Sequence, residues 1–409
     1  MIHVRRTRHE RERLLVIGAG MAGVKLVEEI TGLCPGRFAI TIVGAEARAA
    51  YNRVLLSGVL AGDVAEHDID LNPPEWFRDN RIELLTGAIC TALRPAEGEV
   101  VLSNGAHLAY DRLVLATGSS AMRLPIPGHD LPGVLTFRDL DDVAAMRAAA
   151  PGTSVAVIGG GLLGIEAACG LARRGCKVVL IHLMPRLMER QLDQRAGALV
   201  EAAIRARGID VILEAQTSAI EGDGRAERIL LKDGRSLPAD LVVMAAGIKP
   251  RTEVARSGGL EIGRGIKVDD RLETSRPGIY AIGECAEHRG VCCGLVEPAY
   301  EQARALARRL AGLAASYEGS LTATSLKVSG VPVFSAGDFE GEGAEPVLIE
   351  DAEAGIYRKL VIRDGRLTGA VLVGDTADAA WYRELITNGS AVAAIRGALA
   401  FGKVYAEAA

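Results

Sequence analysis

A chain of 409 residues is too long for one ordinary hydrophobic core and calls for two or three domains. Apolar residues make up 49% and charged residues 24%, and the net charge of −5 comes with no long basic tract, so nucleic acid is not an expected partner. No stretch approaches the roughly 18–20 apolar residues of a membrane helix, and Leu14 to Ile17 is too short for a secretion signal, so the expectation is a cytoplasmic protein with no membrane insertion.

The first thirteen residues hold five arginines and read as a disordered tip. An apolar strand, Leu14 to Ile17, then runs into Gly18-Ala19-Gly20-Met21-Ala22-Gly23, a Gly-x-Gly-x-x-Gly turn that opens a helix. In such a turn the first glycine bends the chain, the second lets backbone approach a pyrophosphate, and the third lets helix pack on strand. The pyrophosphate rests on the positive helix N-terminus. The next strand, Ala39 to Val43, ends at Gly44 without the carboxylate expected there for a ribose, and Glu46 is the nearest candidate. Further on, Val100-Val101-Leu102 leads through the turn dipeptide Asn104-Gly105 to an apolar strand closing at Thr117-Gly118.

The same design then begins again. Val155 to Ile158 runs into Gly159-Gly160-Gly161-Leu162-Leu163-Gly164, and Ile229-Leu230-Leu231 leads through Asp233-Gly234 to a strand closing at Gly247. Thirteen positions separate the hairpin glycine from the closing glycine in both copies, 105 to 118 and 234 to 247. One glycine-rich turn is weak evidence, but two inside an internal repeat are strong. The expected fold class is α/β: two Rossmann-like dinucleotide-binding domains plus a C-terminal α+β interface domain. The boundaries expected are 1–119 with 245–320 for the first, 120–244 for the second and 321–409 for the third.

The second copy carries its own polar candidates. Glu166, placed in the first helical turn, suits the helix dipole and can serve as a polar group on the nicotinamide side; plain helix-start stabilisation is the alternative. Its second strand ends at His182, where an NAD site usually shows an acid, and Arg186 nearby favours a 2′-phosphate. NADH against NADPH stays open, and an ordinary surface histidine is the bland reading of His182.

After the repeat comes Ile279-Tyr280-Ala281-Ile282-Gly283-Glu284, an apolar strand ending in glycine and a carboxylate. Leu295-Val296-Glu297-Pro298 then opens an amphipathic helix through Leu310, with Pro298 in its first turn. In the third region Ile356–Ile362 and Leu367–Val373 pair across Asp364-Gly365, and Asp375 is a candidate cap for a helix containing Trp381 and Tyr382. A packing or dimerisation role for this region, in a homodimer, stands beside a partner-docking one. None of the seven cysteines forms a Cys-x-x-Cys pair, so neither a disulfide framework nor a metal site is expected; Cys292 and Cys293 read as buried reduced thiols, with a redox role as the alternative.

Gly283-Glu284 resembles the second flavin fingerprint of flavoproteins with two dinucleotide folds, in which an acid binds the ribityl chain. More narrowly, nearly the whole chain resembles the FAD and NAD(P)H portion of the assimilatory nitrite reductase large subunit, a relative of rubredoxin and ferredoxin reductases. The match rests on Tyr51-Asn52-Arg53-Val54-Leu55-Leu56-Ser57, on His182 through Asp193, on Gly283 through Gly290 and on Leu326 through Val331. The resemblance implies that FAD is held by Gly18, Gly20, Met21, Ala22, Gly23, Glu46, Asn52, Arg53, Thr117, Gly118, Gly283, Glu284, Val296 and Glu297. It implies that NADH or NADPH is held by Gly159, Gly161, Leu162, Leu163, Gly164, Glu166, His182, Arg186 and Gly247. Related ferredoxin reductases carry a lysine after the serine where this chain has Gly58; Lys327 is a candidate substitute. No other catalytic side chain is expected, because the flavin carries the chemistry.

The implied function is passage of electrons from a reduced nicotinamide through FAD to a separate haem or iron–sulfur protein, in nitrate or nitrite assimilation. A rubredoxin or ferredoxin reductase, an NADH oxidase, or a slowly turning-over flavin-bound sensor or scaffold are the alternatives. The nitrite reductase subunit continues into an iron–sulfur segment and a sirohaem domain, whereas no cysteine here lies beyond Cys293. This chain is therefore not expected to reduce nitrite alone.

Overall fold

The computed structural model describes residues 11–326 and 330–408. Lys327 and most of the arginine-rich start lie outside them. Glu12 and Arg13 do not belong to a disordered tip: the first strand is Glu12–Ile17, and the Arg13 guanidinium pairs with Asp111 at 3.1 Å.

The chain divides into two compact units. One takes the segments ending at Arg53, Ala65–Ser120 and Ile248–Ser320; the other takes Val54–Val64, Ala121–Gly247 and everything from Leu321.

The first unit is built on five parallel strands in the order Ile279–Ala281, Arg112–Leu115, Glu12–Ile17, Phe38–Val43, Glu83–Leu85. Strand side chains alternate between faces. Leu14 and Val16 therefore enter one core with helices Met21–Leu33 and Val296–Leu310, through Leu26, Ile30, Leu306 and Leu310. Leu15 and Ile17 enter a second core with the hairpin sheet Cys90–Arg94, Glu99–Leu102, His107–Ala109. A strand apolar on both faces is what a parallel sheet covered on both sides requires.

The second unit repeats this plan. Its parallel strands Val134–Thr136, Leu241–Met244, Ser154–Ile158, Lys177–Ile181 and Asp210–Ile212 stand in the corresponding order, with their own hairpin sheet, Thr217–Glu221, Arg228–Leu231, Ser236–Pro238. Helix Leu56–Ala61 belongs to this unit although its sequence lies inside the first expected domain. Its Leu60 sits where a Cβ on Gly170 would meet Leu60 Cδ2 at 2.8 Å, so the helix Leu162–Arg173 has a glycine where Leu60 packs.

From Ala323 onward a five-stranded antiparallel sheet forms within the second unit, with strands Ile356–Arg363 and Arg366–Val373 joined across Asp364 and Gly365. Both turn residues have positive φ, 51° and 70°, which the Asp-Gly dipeptide tolerates in a tight hairpin. Asp375 is not the cap of the following helix, which is Ala379–Thr387 with Asp378 at the N-cap position. Asp375 instead receives Nη2 of the buried Arg358 at 2.9 Å, while Arg358 Nη1 donates to Ala400 O at 2.7 Å and to the Tyr382 hydroxyl at 3.2 Å. A buried guanidinium is costly unless so paired, and that requirement claims Asp375.

Candidate functional site: two glycine-loop cradles

In the first unit three neighbouring parallel strands end at one edge, and each end carries part of a cradle. Gly18 follows the central strand at φ +123°, and a Cβ there would lie 2.0 Å from Ala116 O; on Gly23 it would lie 2.1 Å from Gly18 O. Both must be glycine for the loop to close on the strand beside it. Gly20 differs, since a Cβ there meets nothing within 4 Å: the loop presents open space at the start of helix Met21–Leu33. Met21 and Ala22 form the first helical turn, whose unpaired amides face anions.

From the flanking strand Arg112–Leu115 come Thr117 and Gly118. The Thr117 hydroxyl donates to Arg251 O at 2.8 Å, and Arg251 N–H to Gly118 O at 2.9 Å, which fixes this turn. The strand Ile279–Ala281 delivers Gly283 and Glu284. Gly283 abuts Ala22, with 3.0 Å from its notional Cβ to the Ala22 methyl, so the carboxylate arrives beside the glycine loop. Glu284 Oε2 accepts from the Ser119 hydroxyl at 2.8 Å, and Gln302, 2% exposed, accepts the Gly283 N–H at 2.7 Å. Ser119 and Gln302 were not singled out from sequence. Ser119 adjoins Gly118, and Gln302 is the polar residue on the buried stripe Ala299, Ala303, Leu306 and Leu310 of its helix; that exception was the available signal.

Gly44 lies against Ala19, whose methyl is 2.7 Å from its notional Cβ, so Glu46 follows on a turn running beside the first loop. Its carboxylate accepts from the Tyr51 hydroxyl at 2.8 Å and pairs with Arg53, which stacks over the Tyr51 ring at 4.9 Å. Asn52 donates its N–H to Ile69 O. Val296 and Glu297 open their helix as expected, with Glu297 receiving Arg304 at 2.7 Å.

The second unit repeats the glycine geometry. Gly159 at φ +120° would place a Cβ 2.3 Å from Ala245 O, Gly164 would place one 1.8 Å from Gly159 O, and Gly161 meets nothing within 4 Å. Leu162 and Leu163 open the helix beyond it. Gly247, at φ +116°, accepts the Met122 N–H at 2.9 Å.

Three polar residues of this cradle stand differently from expectation. Glu166 is the fifth residue of helix Leu162–Arg173, beyond the first turn, which holds no acid. Its carboxyl is hydrogen-bonded to Ser57, and burial pushes its pKa up to about 7. It lines a cavity of about 920 Å³ with Ser57, Gly58, Arg173 and Ile209. Gly58 has 3.0 Å between its notional Cβ and Val64, so the helix Leu56–Ala61 is tight at this position. His182 is no surface histidine but 8% exposed, with Nδ1 accepting the Gly160 N–H at 3.0 Å and Nε2 facing Glu189 Oε2 at 3.0 Å. Arg186 donates through Nε to Leu192 O at 3.0 Å and pairs with Glu340.

All seven cysteines are free. Cys292 and Cys293 are partly, not fully, buried; desolvation still raises the pKa of both, with Cys292 beside Glu287 and Cys293 hydrogen-bonded to Tyr317, so the two neighbours face different surroundings. Among the described residues no cluster could hold a metal ion, and no helix is long and apolar enough to cross a membrane.

The pattern of known proteins agrees with two cradles of this kind. Residues 12–307 match the family described as pyridine nucleotide-disulphide oxidoreductase, and residues 323–390 match the rubredoxin NAD+ reductase C-terminal domain. The nitrite reductase [NAD(P)H] of Bacillus subtilis (strain 168) is 48% identical over 371 residues, covering 90% of this chain and 46% of that protein. The assimilatory nitrate reductase electron transfer subunit of the same organism is 44% identical over 372 residues, covering 90% and 48%. The chain thus spans about half the length of these curated relatives. The crystal structure of the ferredoxin reductase for the CYP199A2 system from Rhodopseudomonas palustris superposes with a TM-score of 0.86 at 28% identity, covering 95% of this chain and 100% of that one. The chain belongs to the pyridine nucleotide-disulphide oxidoreductase family.

Proposed function

We propose that this oxidoreductase draws electrons from a reduced nicotinamide and delivers them through FAD to a separate haem or iron–sulfur protein in nitrate or nitrite assimilation. The observation that carries the reading is the pair of glycine loops, each closed by two obligatory glycines and open at the middle one, Gly20 and Gly161. FAD belongs to the first, beside Glu284, and the nicotinamide dinucleotide to the second. The likeness to the nitrate and nitrite reductase proteins of Bacillus subtilis supports the setting, and seven free thiols suit a cytoplasmic location.

FAD, when bound, supplies the chemistry that accepts electrons in a pair and releases them singly. The chain's own residues do the rest. The amides at Met21 and Ala22 take the FAD pyrophosphate, and Glu284, steadied by Ser119, takes ribityl hydroxyls. The helix that begins at Val296 would offer its positive N-terminal end to negative charge on the flavin ring. Glu166, bonded to Ser57, offers a polar group on the helix that the second loop opens, in a cavity that would take the nicotinamide end of the coenzyme. No nucleophile or general acid is needed.

Anaerobic mixing of the purified protein with NADH and, separately, NADPH tests the reading. Rapid loss of the flavin's visible absorbance, with its return on adding an oxidised iron–sulfur or haem protein, is the expected result. Bound flavin that neither coenzyme bleaches would sink it. A second reading, a ferredoxin reductase, is favoured by the full-length coverage of the Rhodopseudomonas palustris enzyme. It predicts faster return with a ferredoxin than with a nitrate or nitrite reductase module.

A further inference from the structure

The strand Lys177–Ile181 ends without the acid that ordinarily binds the adenosine ribose of NAD, yet the folded chain brings a carboxylate to that place from seven residues away. The Gly160 N–H can only donate, so Nδ1 of His182 is the acceptor of their 3.0 Å bond and the ring proton sits on Nε2. Nε2 then donates to Glu189 Oε2 at 3.0 Å. The backbone reinforces this return, because the Met188 N–H donates to Gly160 O at 2.9 Å, with Met188 held at φ 52°. Gly160 makes the arrangement feasible: a Cβ there would lie 2.6 Å from His182 Cγ and 2.6 Å from Leu187 Cδ2. Each of the three consecutive glycines thus has its own reason: Gly159 for the turn, Gly160 to admit the imidazole, Gly161 for the ligand.

The geometry points to Glu189 as the ribose-binding acid of the second cradle, with His182 as its positioning residue and NADH as the preferred coenzyme. This deepens the function proposed above and rests on it. Glu189 retains 23% exposure of its side chain beside the glycine loop, and its second oxygen, Oε1, has Arg190 Nε at 3.8 Å, too long for a hydrogen bond, so it can still accept from a 2′-hydroxyl. The two cations of this segment that could serve a 2′-phosphate each have a carboxylate nearby. Arg186 is held by Leu192 O and Glu340, and Arg190 lies 3.8 Å from Glu189 itself. A 2′-phosphate would have to displace Glu340 and meet the Glu189 carboxylate at close range, where like charges repel. Leu183 and Met184, 58% and 41% exposed directly after His182, give the adenine ring an apolar surface at the same strand end.

Titration calorimetry of the flavin-loaded protein with NAD+ and NADP+, which need no turnover, tests the assignment. The wild type is expected to bind NAD+ about tenfold tighter or more, the equivalent of one charge-assisted hydrogen bond. Glu189→Gln keeps an acceptor for His182 but loses the charge; it should weaken NAD+ about tenfold, strengthen NADP+ and leave flavin content unchanged. His182→Ala should narrow the same selectivity ratio, which loss of stability alone would not change. A wild type that prefers NADP+, or a Glu189→Gln protein with unchanged selectivity, overturns this assignment while leaving the reductase reading intact. Failure of the wild type to bind either nucleotide would overturn both.

Discussion

The Ser119 hydroxyl donates to Glu284 Oε2 at 2.8 Å, tying the end of one parallel strand to the end of its neighbour at the open face of the first glycine loop. Glutamate carries its carboxylate one methylene further from the backbone than an aspartate would, and the bond from Ser119 fixes the direction of the longer side chain. Ser119→Ala should therefore loosen FAD about five- to tenfold, the loss of one hydrogen bond to a charged group, and Glu284→Ala should loosen it further. Flavin fluorescence during dilution measures both. Equal FAD affinity in Ser119→Ala and wild type would show that the serine does not orient the acid.

Glycines of one loop should respond differently to the same methyl group. Gly18→Ala forces a Cβ within 2.0 Å of Ala116 O at φ +123°, so the protein should lose several kcal/mol and fail to accumulate. Gly20→Ala meets no protein atom within 4 Å and should fold with near-normal thermal stability, yet emerge colourless. A yellow Gly20→Ala protein would place the pyrophosphate elsewhere.

Glu166 predicts a pH signature. Its carboxyl holds a proton in the folded protein up to about pH 7, against 4.5 for the free group. A raised acid pKa means that ionisation destabilises the fold: the cost is absent below pH 4.5, grows between 4.5 and 7 and is complete above 7. Glu166→Gln removes it, so the mutant's advantage in urea midpoint should open across that interval, toward a limit on the order of 3 kcal/mol. A difference that stays flat from pH 5 to 8 would mean an ordinary, solvated carboxylate.

Asp193 serves three partners. It caps helix Gln194–Arg205 through the Ala196 N–H at 2.9 Å, accepts the Tyr357 hydroxyl at 2.8 Å and pairs with Lys359 at 3.0 Å. Asp193→Ala leaves the buried Tyr357 hydroxyl without its acceptor and the Lys359 ammonium without its carboxylate, with only Glu340 O still accepting from it, and should cost about 2–4 kcal/mol. Chemical unfolding of Asp193→Ala beside Tyr357→Phe checks it; a loss under about 1 kcal/mol would mean the three bonds are weak.

Much of the architecture was legible because it is carried by local rules. The glycine spacings, the apolar strands before them and the Asn104-Gly105, Asp233-Gly234 and Asp364-Gly365 turns all act within a few residues, and the structure reproduces them as two sheets of matching order and three hairpins. What sequence left hidden depends on distant partners. Helix Leu56–Ala61 leaves its neighbours in the chain because Leu60 fits the gap at Gly170, and nothing near residue 60 announces that gap. Asp375 looked like a helix cap until Arg358 claimed it. The carboxylate seemingly missing after the second strand of the second copy sits at Glu189, inside a quoted motif but seven residues late, and only the His182 bond reveals it.

The measurement closest to the central claim is an anaerobic NADH titration of Gly161→Ala beside wild type, following the flavin's visible absorbance. A Cβ at Gly161 touches no protein atom within 4 Å and stands only in the way of a ligand at the second loop. The account predicts a variant with full flavin content whose absorbance NADH no longer bleaches at concentrations that bleach wild type completely. Bleaching identical to wild type would contradict it, because electrons would then enter the flavin without the second cradle.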